Sequence, residues 1–134
     1  MRNETVVAAV VSAGGVVGAC TRRGVELAWP TPAGGFPWAT FAVNVSGCAI
    51  MGALVVALTE LWVGHRLLRM FLGTGVLGGY TTFSTYVGDV DSLASSHHPL
   101  GAVIYMIGTP VAVLITTWAT AILIRRLISR RRAS

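Results

Sequence analysis

The chain has 134 residues, of which 54% are hydrophobic and 11% charged, and its mean hydropathy is +0.70. A water-soluble domain carries about a quarter charged residues, so this composition excludes that class and indicates one integral membrane domain. The net charge is +5, every basic residue is arginine, and five arginines lie between Arg125 and Arg132; beside a last span, such a tail reads as a cytoplasmic anchor rather than a nucleic-acid arm.

At about 20 residues per span, the length allows four helices with short connections. The first is expected over Thr5 to Thr21, with a continuation toward Ala28. No positive segment with a small-residue cleavage site opens the chain, so this run reads as a retained helix. Gly14 and Gly18 have the small-xxx-small spacing that lets two helix backbones approach closely. Arg22 and Arg23 follow and read as interfacial snorkelling side chains. Trp29 to Pro37 is a loop by its prolines and glycines, and Trp29 and Trp38 flank it as an aromatic belt would.

The second span is expected from Trp38 to Leu61. Its strongly polar interior residue is Asn44. A lone asparagine there either bonds a neighbouring helix or lines an ion path, since its amide can donate to an anion. Cys20 and Cys48 sit among small apolar residues and read as small buried hydrophobes. The connection Trp62 to Arg69 carries His65, Arg66 and Arg69.

The third span begins near Leu67. From Gly78 and Gly79 it becomes a dense run of hydroxyls, Thr81, Thr82, Ser84 and Thr85. Glycine loosens a helix, and threonine and serine offer the backbone other partners. Backbone released at membrane depth is tolerated only where protein or a polar cavity receives it, so a helix broken at its centre is expected here. Phe83 and Tyr86 lie on one face if the chain resumes as helix. Asp89 and Asp91 mark the exit. Ser92 to Pro99 is a polar loop, with His97 and His98 read as exposed. The fourth span runs from Leu100 to Ile124, with Tyr105, Thr109 and Thr116 on one stripe and Pro110 loosening the backbone.

Conventional catalysis has no support. No carboxylate pair lies within a span, no histidine lies in an apolar interior, and Ser84 has no base to activate it. A proton-coupled relay is likewise missing. What remains is a path of neutral groups: an asparagine amide, hydroxyls, and aromatic edges that carry partial positive charge. Backbone carbonyls at the break can instead hold a cation, and these features alone do not choose the ion.

Three segments occur in order: Gly14-Gly15-x-x-Gly18-Ala19-x-x-Arg22, Thr40-x-x-Val43-Asn44-x-x-Gly47, and Gly78-Gly79-x-Thr81-Thr82-Phe83-Ser84-Thr85. Together they resemble the signatures of the bacterial fluoride channel family, Fluc or CrcB, over nearly the whole chain; the third is the specific one. The resemblance implies a passive channel in the bacterial plasma membrane that lets cytoplasmic fluoride leave the cell. It implies an antiparallel dimer with two pores, formed with itself or with an oppositely oriented homologue. It implies a structural sodium ion at the dimer centre, held by the carbonyls of Gly78 and Thr81 from both subunits. Asn44 takes the place of the pore asparagine and Phe83 that of the first pore phenylalanine. Tyr105 and Thr109 match a polar track, and Thr82 and Ser84 belong to the same path. Two positions depart: Tyr86 stands where the second pore phenylalanine is expected, and Arg23 where an aromatic is common.

The expectation is therefore an all-α membrane protein of four transmembrane helices, not an enzyme, that conducts fluoride and has the lipid bilayer but no nucleic acid as partner. A small multidrug-type exporter is the rival class, and it needs a membrane-embedded glutamate in its first helix, which is absent. A partner subunit of a heterodimeric fluoride channel is the third reading, kept alive by Tyr86.

Overall fold

The computed structural model describes residues 2–60, 64–96 and 98–133. All regular structure among them is helical. Helix α1 spans Arg2–Ala28 and α2 spans Trp38–Glu60. A third helical stretch is composite: α3 is Arg66–Arg69, a π-helical segment covers Met70–Leu77, and α4 is Gly78–Tyr80. Helix α5, Ser84–Ser95, follows, and α6, Pro99–Ala133, closes the chain. Among the described residues, three helices are long and apolar enough to cross a membrane: Asn3–Ala28, Trp38–Glu60 and Pro99–Arg131.

These bounds differ from the sequence expectation at helix ends. The first helix begins at Arg2 and the last continues to Ala133, past the arginines. Hydropathy marks where an apolar stretch stops, whereas arginine is a good helix former and gives the backbone no reason to unwind. The expected end of the second span at Leu61, together with Trp62 and His97, lies outside the described residues.

Glycine sets the packing of α1. A Cβ on Gly18 would overlap the Val76 carbonyl oxygen, and one on Gly14 would stand 2.5 Å from that of Phe71. A Cβ on Gly79 would overlap the Gly15 carbonyl oxygen. Backbone thus lies directly on backbone, as small residues in membrane helices permit. Helix α1 packs on the π-helical segment and α4, while α2 and α5 pack on α6. Gly52 of α2 gives α6 the same close approach, since a Cβ there would reach the Thr117 carbonyl oxygen at 2.5 Å.

Tyr86 and Leu93 of α5 bury against Ala102 and Tyr105 of α6, with Phe36, Phe41 and Val90 packed around them. The Phe36 ring meets the Tyr105 ring edge-on at 5.2 Å, which ties the loop before α2 to this cluster. Trp29 and Trp38 are about half exposed at the loop's two ends, the placement expected of belt residues.

Candidate functional site

Helix α4 stops because Thr81 is extended, with φ −74° and ψ 154°, and α5 starts only at Ser84. The released backbone is received by side chains. The Thr82 N–H donates to Asn44 Oδ1 at 2.8 Å, and Asn44 Nδ2 donates to the Thr82 carbonyl at 2.9 Å. The Thr85 N–H donates to Thr82 Oγ1 at 3.2 Å, which is the bond a helix N-cap makes. In a continuous helix those two N–H groups would bond the carbonyls of Gly78 and Thr81. Both carbonyls named from the sequence as cation ligands have therefore lost their helical donors. Carbonyl oxygens without donors are suitable ligands for a hard cation, so the residues present fit sodium.

Arg22 also serves this turn. Its Nε donates to the Gly79 carbonyl at 3.3 Å, and its Nη1 pairs with Glu26 at 3.2 Å. The snorkelling expectation for Arg22 is corrected: the guanidinium caps the carbonyl end of the helix before the break, where a positive charge is favoured. Arg23 pairs with Glu26 at 3.4 Å and is exposed.

Beside the break lies a cavity of about 290 Å³ lined by Asn44, Cys48, Thr81, Thr82, Phe83, Tyr86, Thr109, Pro110 and Val113. Five of the residues singled out from the sequence for an anion path meet here: Asn44, Thr82, Phe83, Tyr86 and Thr109. Among the described residues, no carboxylate, arginine or histidine lines it. The Thr109 hydroxyl is buried and has no hydrogen-bond partner among the described residues. A buried hydroxyl left unpaired costs free energy.

Phe83 is 76% exposed in the single chain, its ring 5.7 Å from that of Tyr86. The other candidates lie apart. Ser84 is exposed, 3.4 Å from the Thr82 hydroxyl, and does not line the cavity. Tyr105 is fully buried behind Tyr86, with ring centroids 5.3 Å apart and its hydroxyl donating to Asp89 at 3.4 Å. Thr116 also lies off the cavity, and its carbonyl accepts from Thr120.

Sequence reasoning missed three features of the site. Cys48 and Val113 form part of the wall, one turn along α2 from Asn44 and one turn along α6 from Thr109; helical spacing could have found them. The cysteines are both free, and Cys20 is exposed rather than buried. The third is the use of the Tyr86 hydroxyl, which donates to the Met106 carbonyl at 2.6 Å.

Comparison with known proteins adds a family. Residues 9–121 match the family model described as CrcB-like protein, Camphor Resistance. The chain is 50% identical over 133 residues to the fluoride-specific ion channel FluC 1 of Streptomyces coelicolor, covering 98% of this chain and 86% of that one. It is 49% identical over 126 residues to FluC 2 of Streptomyces avermitilis, covering 94% and 80%. It is 52% identical over 104 residues to FluC 2 of Nocardia farcinica, covering 78% and 74%.

Proposed function

The chain belongs to the CrcB-like family, and from that premise we propose that it forms a passive, fluoride-selective channel of the bacterial plasma membrane. It is a multi-pass membrane protein and not an enzyme. Fluoride that has accumulated in the cytoplasm leaves through it, which lowers its toxicity.

The observation that carries this reading is the cavity beside the break. Its polar lining is neutral, and its aromatic groups stand next to hydrogen-bond donors. Fluoride is small and strongly hydrated, so a path for it must replace water with donors. The second N–H of the Asn44 amide, the Thr109 hydroxyl and the positive edges of Phe83 and Tyr86 are of that kind. Thr82 adds a hydroxyl to the lining, Ser84 stands beside it at 3.4 Å outside the cavity, and Tyr105 backs the Tyr86 ring from behind.

The finer architecture belongs to the same reading. Residues 66–95 make a fourth crossing, broken at Thr81, beside the three long spans. Two copies, or one copy and a homologue, pair antiparallel with their breaks together. The 76% exposure of Phe83 supports this, because a pore ring open to lipid is half a site. Gly78 and Thr81 of each subunit would hold the sodium ion through their carbonyls, and its charge would fasten the two helix breaks at carbonyls that have lost their helical donors. An exporter reading has no comparable support, since no acidic residue among those described lines the cavity.

The direct test is fluoride efflux from liposomes containing the purified chain, with chloride as the control. Fluoride is expected to leave without proton coupling while chloride stays. Equal loss of both ions would overturn the reading. Deleting the gene should sensitise cells to fluoride most in acid medium, where HF enters and dissociates inside.

A further inference from the structure

The hydroxyl at position 86 finds its use in a proline one helix away. In an α-helix the Met106 carbonyl receives the N–H of residue 110. Residue 110 is proline, which has no N–H and whose ring crowds the carbonyl four positions earlier. Helix α6 nevertheless runs on to Ala133. A carbonyl without a donor at this depth is costly, because lipid supplies no replacement. The Tyr86 hydroxyl donates to that carbonyl at 2.6 Å.

We propose that Tyr86, Met106 and Pro110 act as one fastener: the Tyr86 hydroxyl replaces the N–H that Pro110 lacks, and the bond fixes the Tyr86 ring as a wall of the ion path. The surroundings agree. The ring is buried, and it is flanked by Phe83 at 5.7 Å and Tyr105 at 5.3 Å. Tyr86 and Pro110 both line the cavity, so the fastener closes one side of it. The hydroxyl is engaged by protein and does not add a competing donor to the path. Tyr86 is in this respect a positioning residue, and the departure from phenylalanine is compensated within the chain. The consequence for transport rests on the fluoride-channel reading; the bond itself does not.

A double-mutant cycle with Tyr86→Phe and Pro110→Ala tests it in reconstituted protein. Tyr86→Phe should slow fluoride efflux about tenfold, the scale of one buried carbonyl left without its donor. In the Pro110→Ala background the new N–H reaches Met106, so adding Tyr86→Phe there should change efflux by less than about twofold. In protein labelled with ¹³C-carbonyl methionine, the Met106 infrared band, assigned among the four methionines by its loss in Met106→Leu, should move to higher wavenumber in Tyr86→Phe and return in the double variant. If Tyr86→Phe alone fails to fold and the double variant folds, that rescue also supports the pair. Equal effects of Tyr86→Phe in both backgrounds, or an unmoved band, overturn the fastener. A wild-type protein that moves no fluoride, with the band shift and its reversal intact, overturns the channel reading and leaves the bond standing.

Discussion

Asn44 of α2 holds both main-chain groups of Thr82, giving one hydrogen bond to its carbonyl at 2.9 Å and accepting one from its N–H at 2.8 Å. One side chain thus satisfies the backbone that the break before α5 releases, and it takes away the donor of the Gly78 carbonyl. Asn44→Ala would leave both Thr82 groups unpaired, and each such group costs about 1–3 kcal/mol. The expected result is a clear fall in thermal stability and loss of fluoride efflux. Asn44→Asp keeps the acceptor, loses the donor and adds a negative charge beside the anion path. Efflux should be abolished there, and the buried carboxylate facing the Thr82 carbonyl without a counter-charge should cost at least as much stability. Unfolding and efflux measured on the same preparations check both variants. Equal stability for wild type and Asn44→Ala would remove the clamp.

Of the two readings left open for Asn44, the structure shows the bond to a distant segment, and the same residue also lines the cavity proposed as the ion path. Sequence pattern located it because an asparagine inside an apolar span is conspicuous. It could not name the partner, because the partner is backbone 38 residues away, and backbone groups leave no mark in composition. The hydroxyl run likewise pointed to the stretch where α4 gives way to extended backbone at Thr81, since threonine and serine compete for main-chain bonds. The π-helical turns over Met70–Leu77 had no such signal. Nor did the bond from Tyr86 to Met106, which depends on two helices meeting at one register. The long spans were legible from hydropathy; their ends were not, because arginine continues a helix as readily as leucine.

Gly18 and Gly15 offer a matched pair. A Cβ on Gly18 would overlap the Val76 carbonyl, which is backbone and cannot turn aside, whereas one on Gly15 meets nothing within 4 Å. Gly18→Ala should therefore destabilise the fold by at least about 2 kcal/mol. Gly15→Ala should leave the folded chain intact. Thermal unfolding in detergent reads both, and equal tolerance would contradict the backbone contact between α1 and the π-helical segment.

Thr82 Oγ1 takes the Thr85 N–H that would otherwise return to Thr81. Thr82→Val keeps the shape and removes that acceptor, so the N–H can close on the Thr81 carbonyl. Wild-type protein should melt at a higher temperature in sodium chloride than in N-methylglucamine chloride, and this difference should shrink in Thr82→Val. The readout does not depend on conduction. A sodium effect of the same size in both proteins would detach Thr81 from the cation.

In the proposed path Phe83 would contribute a ring edge rather than bulk. Phe83→Ile keeps an apolar side chain and removes the edge, so fluoride efflux should fall at least about tenfold, the loss expected when about 1.4 kcal/mol of stabilisation is removed. The chain should still fold, since most of the ring lies outside its own chain's packing. Wild-type efflux from Phe83→Ile liposomes would take Phe83 out of the path.

Orientation follows from arginines. With four crossings, Arg2, Arg66, Arg69 and the tail arginines from Arg125 to Arg132 share one side, leaving Arg22 and Arg23 on the other. Basic residues near span ends hold their side in the cytoplasm. The outer pair is weakened further, because Arg22 and Arg23 both lie against Glu26 and Arg22 also reaches Gly79. On the basic side Arg125 meets Glu60, while helix α6 carries its further arginines onward to Ala133. At a rise of about 1.5 Å per residue its 35 residues extend about 52 Å, longer than a hydrocarbon core of about 30 Å. A chain that inserts both ways should show almost no such bias. One dominant orientation is expected, with both termini in the cytoplasm, and an antiparallel dimer then requires an oppositely oriented homologue. C-terminal reporters active only inside or only outside the cell test this. Signal from the cytoplasmic reporter alone is the expected result, whereas comparable signal from both would restore dual insertion and pairing of the chain with itself.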